Sequence, residues 1–248
     1  MDTSHQIASV APESPAAKAG VEPMDIIREI NGVSLIDIFD YYYYEDESSF
    51  DMLIEKPDQT TRMVHIEKEE GEDLGILFAN GLMDDYRSCH NKCMFCFIDQ
   101  MPPGMRDTLY FKDDDTRLSF LQGNYVTLTN MKEEDLQRII KYHLAPINIS
   151  VQATNPELRC KMLHNRFAGD ILEKIAMLAE ADIEMNAQIV LCKGENDGEE
   201  LDRSIRELLE FHPQMQSMSV VPVGLTKFRD GLYPLESFEK EDAKEVLR

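Results

Sequence analysis

The stretch Cys89-His90-Asn91-Lys92-Cys93-Met94-Phe95-Cys96 places three thiols within eight positions, at spacings of four and three residues. One loop can therefore present all three sulfur atoms to a single inorganic centre. Thiolates are soft ligands that suit an iron–sulfur cluster or zinc. A structural zinc site needs four protein ligands, and Cys160 and Cys192 are solitary rather than a second Cys-x-x-Cys pair. The pattern thus favours a cluster held by Cys89, Cys93 and Cys96 with one open iron, and the alternatives are zinc and three free thiols.

After this loop, and just before it, short apolar stretches alternate with helical patterns. Leu136, Ile139 and Ile140, for example, recur at the spacing of one helix face. Continuously apolar strands in repeated β–α units predict a parallel sheet with helices outside. We expect an α/β fold in residues 73–248, a partial (β/α) TIM-like barrel of about five strands. The predicted strands are 75–79, 125–129, 147–151, 185–191 and 218–223.

Residues 1–72 have a different pattern, in which turn residues break up short apolar stretches. Ser14-Pro15 is typical of a helix start, and Asn31-Gly32 predicts a tight hairpin turn. Residues 52–54 and 63–66 are two further strand candidates. The sequence therefore predicts a small, mostly β N-terminal domain.

Composition limits the class of partner and the compartment. The formal net charge is −22, from 47 acidic and 25 basic side chains. Such a surface repels phosphate backbones and anionic lipid, so nucleic-acid binding is not expected. No apolar run of about 18 residues and no signal segment at Met1 are found, which predicts a cytoplasmic protein without membrane attachment. In that reducing compartment five cysteines, an odd number, favour metal ligation over disulfides.

The spacing C-x-x-x-C-x-x-C, with the aromatic Phe95 before the last cysteine, resembles the signature of the radical-SAM superfamily. The loop also follows the predicted strand 75–79, as it follows the first barrel strand in that superfamily. The resemblance implies a 4Fe–4S cluster on Cys89, Cys93 and Cys96, with S-adenosyl-L-methionine (SAM) bound at the open iron. It further implies an enzyme that reductively cleaves SAM to a 5′-deoxyadenosyl radical, which abstracts hydrogen from an unknown substrate. An electron donor such as ferredoxin or flavodoxin is then required.

A narrower resemblance covers nearly the whole chain. Residues 96–102, 109–115, 123–130 and 221–226 resemble the domain-of-unknown-function 512 family, whose members are Fe–S oxidoreductases with a PDZ-like N-terminus and a radical-SAM core. The PDZ-like match runs from Ser14-Pro15-Ala16-Ala17 to Asn31-Gly32. Family members extend beyond the equivalent of Arg248, so a C-terminal part is expected to be missing. The PDZ-like domain is expected to pack on its neighbour or to bind a protein partner.

Radical-SAM proteins usually bind the amine of SAM with a Gly-Gly-Glu-like stretch, and no such triplet occurs in this sequence. The candidates for SAM binding are polar residues at or just beyond the ends of two predicted strands: Thr127, Thr129, Asn130, Ser150, Gln152 and Asn155. Helix capping is the alternative role for Thr129, Asn130 and Asn155, and Asn130 with Glu133 would form a capping box.

Two parts of the sequence, and the chain as a whole, each allow more than one interpretation. Residues 112–115 with Arg117 form either a solvated turn or a polar site beside the cysteine loop. Cys192 is a hydrogen-atom donor, an auxiliary ligand or a buried core thiol. As a whole, the protein is a radical-SAM enzyme, a non-enzymatic Fe–S electron-transfer or adaptor protein with PDZ-like partner binding, or a zinc-bound scaffold.

Overall fold

The computed structural model describes residues 5–248. The chain divides into two compact units, one ending at Tyr86 and one beginning at Arg87. The domains inferred from sequence, 1–72 and 73–248, remain predictions, since compactness alone does not define a folding domain. No helix in the described part of the chain combines the length and apolar character needed to cross a membrane.

The first unit is mostly β-structure. Its elements are β1 (Ile7–Val10), α1 (Pro15–Lys18), β2 (Ile26–Ile30), β3 (Val33–Ser34), α2 (Ile38–Glu45), β4 (Ser49–Glu55), β5 (Thr61–Glu67) and β6 (Ile76–Phe78). Four strands form one antiparallel sheet in the order β3-β2-β4-β5, and β1 pairs with β6 in a second sheet. The inward-facing apolar side chains of the larger sheet form a core, which accounts for its alternating pattern.

Local signals in this unit are confirmed. The Ser14 hydroxyl accepts a hydrogen bond from the amide of Ala17 at 3.2 Å, and Pro15 occupies the first helical position of α1. Asn31 and Gly32 both have positive φ, 51° and 74°, as a two-residue hairpin turn between β2 and β3 requires.

The strand predicted at 75–79 exists, but its assignment as the first barrel strand is wrong. It is β6, and it pairs antiparallel with β1, with Ile7 opposite Phe78. The amides of Ala11 and Ala79 complete this pairing with bonds of 2.8 Å to Gly75 and Gln6. An apolar run indicates that a strand is buried, but it does not indicate which strand lies beside it. The sequence pattern therefore could not distinguish pairing with β1 from pairing within the parallel sheet.

Gly75 gives a first testable prediction. Its φ is +80°, and a Cβ added there would meet the Cβ of Ser14, its Oγ at 2.7 Å and the Cβ of Ala11 at 3.1 Å. Gly71 has a similar φ of +73° but no atom within 4 Å of an added Cβ. Gly75→Ala should therefore lower the free energy of unfolding by about 1–3 kcal/mol more than Gly71→Ala, measured by urea denaturation. Equal losses in the two variants would show that only backbone conformation matters at Gly75.

The second unit contains a parallel sheet in the order β7-β8-β9, with helices between its strands. Its remaining elements are α3 (Thr116–Gln122), α4 (Glu133–Tyr142), β7 (Ile147–Ser150), α5 (Pro156–Leu163), α6 (Ile171–Glu180), β8 (Met185–Leu191), α7 (Glu199–Leu209), β9 (Met215–Pro222) and α8 (Lys240–Val246), with short 3₁₀ turns at Asp107–Tyr110 and Ala168–Asp170. A buried apolar cluster from β7, β8, α4 and α6 forms its main core.

The sheet has fewer strands than the five expected. The predicted strand 125–129 is reduced to a single parallel bridge between Val126 and Ile149. Positive φ at Leu128, 60°, turns the chain soon after this bridge and prevents a longer strand. No closed barrel occurs among the described residues, whose parallel sheet comprises three strands and this bridge.

The two predicted helix caps have opposite outcomes. Asn155 caps α5, because its Oδ1 accepts from the amide of Glu157 at 3.2 Å, which confirms that prediction. The capping box of Asn130 and Glu133 is wrong, because the N-cap of α4 is Lys132, whose amide donates to Asp135 at 2.9 Å. Asn130 instead donates its side-chain amide to the carbonyl of Ser88 at 2.9 Å.

Candidate cofactor-binding site

The cysteine loop has no regular secondary structure, and backbone hydrogen bonds at both of its sides hold it in place. The amide of Cys89 donates to the carbonyl of Lys112 at 2.7 Å. The amides of Lys92 and Met94 donate to carbonyls near the end of α5, Leu163 at 3.0 Å and Met162 at 2.9 Å. The loop is thus held against α5, the helix that follows β7.

Asn91 connects this loop to the chain that follows the Val126 bridge. Its side chain, 4% exposed, donates to the hydroxyls of Thr127 at 3.0 Å and Thr129 at 2.8 Å. Its Oδ1 accepts from the side-chain amide of Asn165 at 2.7 Å, and its backbone amide donates to Cys89 Sγ at 3.4 Å. Sequence reasoning missed Asn91, although a polar residue enclosed between ligand-type cysteines was a signal of such a role.

Asp114 belongs to the same network. It accepts from the amide and the hydroxyl of Thr127, at 2.7 and 2.5 Å. Burial raises the pKa of Asp114, and the bonds from Thr127 oppose that shift. Asp115 and Arg117 are also buried and form an ion pair at 2.6 Å. The solvated-turn alternative is therefore wrong for these three residues, and Asp114 lies beside the cysteine loop.

Arg159 on α5 is the largest fully buried side chain near the loop, at 1% exposure. Its guanidinium donates to the carbonyls of Val151 at 2.8 Å, Thr127 at 2.8 Å and Ser150 at 3.2 Å, and also to that of Ala168. Burial lowers the pKa of Arg159 to about 10, although nearby acidic groups favour its charged form. Four carbonyls thus accept hydrogen bonds from a buried charge that the sequence of α5 did not reveal.

The six candidate SAM-binding residues occupy different environments. Thr127, Thr129 and Asn130 gather beside the cysteine loop through the bonds given above. Gln152 is buried, and its Oε1 accepts from the amide of Val190 at 2.7 Å. Asn155 caps α5 and donates to Glu200 at 2.9 Å. Ser150 is buried, with its carbonyl bonded to Arg159. Binding of SAM by any of these residues remains a prediction.

The donor set of the cysteine loop suits a 4Fe–4S cluster. Cys89, Cys93 and Cys96 are all free and partly exposed. Burial raises the pKa of Cys89 and of Cys93, and the charges of Cys89 and Cys96 add to the shift at Cys93. A bound cation would offset this resistance to ionisation. Nevertheless, within residues 5–248 no three His, Cys, Asp or Glu side chains are already arranged to hold a metal ion.

Cys192 lies in an apolar cluster with Met94 and Val223 and is fully buried. Burial raises its pKa to about 12. Its backbone amide donates to Asn196 at 2.7 Å. The structure thus places Cys192 as a buried core thiol.

A cavity of about 360 Å³ opens beside Cys93 and Cys96. Lys112 lies on its wall and forms an ion pair with Asp99 at 2.5 Å. Burial opposes the charge on Lys112, but Asp99, Cys96 and Cys89 together raise its pKa. A larger cavity, about 480 Å³, lies along α7 and α8 and contains no cysteine. The smaller cavity is therefore the one beside the candidate cofactor ligands.

The fold and this loop define a two-unit α/β protein whose candidate site is a thiol-rich loop beside a parallel sheet. Residues 68–218, more than half of the chain, match the family described as a radical SAM-like domain, and residues 6–56 match the PDZ domain family. The chain belongs to the radical SAM-like domain family, with a PDZ domain at its N-terminus.

No curated protein matches this chain. Among solved structures, the crystal structure of a radical SAM methyltransferase from Sphaerobacter thermophilus is 11% identical over 93% of this chain and 75% of that chain. Its TM-score is 0.33, a likeness too low to define a common fold.

Proposed function

We propose that this chain is a radical-SAM enzyme that binds a 4Fe–4S cluster through Cys89, Cys93 and Cys96 and uses SAM to abstract hydrogen from a substrate. The observation that carries the proposal is the position of the three thiols on one loop, within the residues that match the radical SAM-like domain. When bound and reduced, such a cluster supplies the electron that cleaves SAM. We further propose cytoplasmic location, a partial TIM-like barrel and an electron donor such as ferredoxin or flavodoxin.

In this proposal the surrounding residues orient the loop rather than react. Asn91 holds the loop through hydrogen bonds to Thr127 and Thr129. Arg159 holds the carbonyl of Thr127 and that of Ser150 at the end of β7. Thr127, Thr129 and Asn130, which gather beside the cysteine loop, would bind SAM through their hydroxyl and amide groups in this proposal. Preorganised polar groups of this kind position a cofactor without reorganisation during the reaction.

Anaerobic reconstitution with iron and sulfide tests the proposal. The wild-type chain should bind about four irons, show an EPR signal that changes on adding SAM, and form 5′-deoxyadenosine after reduction. Cys89→Ser, Cys93→Ser and Cys96→Ser should each lose the cluster. Cys160→Ser is the matched control and should retain it. Iron binding that survives replacement of all three loop cysteines would contradict the proposal.

One observation favours a second function. The PDZ match at residues 6–56 belongs to a class of domain that binds proteins, which suits an Fe–S electron-transfer or adaptor protein. The same reconstitution distinguishes the two functions. A cluster that forms without SAM-dependent 5′-deoxyadenosine would support the adaptor and contradict the enzyme.

A further inference from the structure

The cavity beside the cysteines has a charge opposite to that of the chain. Among its eleven lining residues are three lysines and His164, against a single carboxylate, Asp99. The whole chain carries a formal charge of −22. The larger cavity is acidic, like the chain as a whole, because four carboxylates and two basic residues line it. The basic character is thus a property of the cysteine cavity that the larger cavity does not share.

Not all of these lysines are neutralised by the protein. Lys112 is engaged by Asp99 at 2.5 Å, and Lys161 by Glu195 at 2.6 Å. Glu195 is shared, since it also accepts from the hydroxyl of Tyr233 at 2.5 Å. Lys92 is exposed and has no carboxylate within ion-pair distance in the described residues. Lys92 therefore leaves positive charge facing the cavity, and Lys161, although paired with Glu195, is half-exposed on the same wall.

We propose that the cavity lined by Lys92, Lys161 and His164 binds a small substrate that carries a carboxylate or phosphate group. Its volume, about 360 Å³, lies within the range of small-molecule sites and is too small for a folded partner. Lysine ammonium groups bind such anions as point charges. This inference rests on the proposed function, since Cys93 and Cys96 line the same cavity.

Pyrophosphate is a suitable probe because it concentrates negative charge in a small volume. It is titrated by calorimetry into the full chain, both reconstituted and iron-free. Lys92→Ala and Lys161→Ala should each weaken its binding about fivefold. Lys244→Ala makes the same charge change on α8, where Lys244 pairs with Glu241 at 2.7 Å, and should leave binding unchanged. Absence of binding, or equal weakening by Lys244→Ala, would overturn the proposal.

Two further measurements show whether the anion site is distinct from the SAM site and whether it depends on the cluster. Saturating SAM should leave pyrophosphate bound to the reconstituted chain, whereas displacement would assign the lysines to the carboxylate of SAM and overturn the substrate proposal. Binding to the iron-free chain that is sensitive to Lys92→Ala supports the anion site even if reconstitution fails. In that case only the radical-SAM proposal falls.

Discussion

Replacing Arg159 by methionine should lower the free energy of unfolding by about 3–5 kcal/mol. The guanidinium is buried and is bonded to the carbonyls of Thr127, Ser150, Val151 and Ala168. Methionine fills similar space without donors, so those acceptors lose their partner in a region that little water reaches. Chemical denaturation followed by circular dichroism measures the loss.

Two other variants show whether the planar geometry of the Arg159 guanidinium group matters for stability. Arg159→Lys keeps a positive charge but cannot reach four carbonyls from one planar group, so its loss should approach that of Arg159→Met. Arg203→Met is the control, because Arg203 forms only a half-exposed pair with Glu207 at 2.9 Å on α7 and should cost about 0.5 kcal/mol. Full stability of Arg159→Lys would show that charge alone, and not the array of bonds, is needed at this position.

Arg159 also shows what the sequence could not predict. Motif spacing identified the cysteine loop, and short-range chemistry identified Ser14, Asn31 and Asn155, because caps and tight turns depend on neighbours in the chain. The partners of Arg159 are backbone carbonyls up to 32 positions away, which leave no mark on residue type. For the same reason the pairing of β6 with β1 was missed.

The acidic motif after the cysteine loop was predicted only in part from the sequence. Residues 112–115 have the composition of a solvated turn, yet Asp114 is 4% exposed and receives two bonds from Thr127. Burial of a carboxylate depends on whether distant donors satisfy it, and a charge run alone does not reveal those donors. The sequence resemblance raised the possibility of a polar site here, and the structure supplied its partners.

Replacing Asn91 by aspartate should weaken retention of the cluster about tenfold and lower the free energy of unfolding by about 3 kcal/mol. The side-chain amide that donates to Thr127 and Thr129 becomes a carboxylate oxygen, while the Thr127 hydroxyl is already bonded to Asp114. The new charge is also buried in a network that contains the Asp114 carboxylate and adjoins the Cys89 sulfur atom.

Retention is measured as the iron remaining after gel filtration of the reconstituted chain. Asn186→Asp is the matched control, because it adds the same charge near the start of β8, where Asn186 bonds to Asn148 at 3.1 Å. It should retain iron at the wild-type level. If Asn91→Asp unfolds more easily but holds iron as firmly as Asn186→Asp, then Asn91 stabilises the fold without orienting the loop. Loss of iron confined to Asn91→Asp, measured under conditions in which both variants are fully folded, would instead establish it as the residue that positions the three thiols.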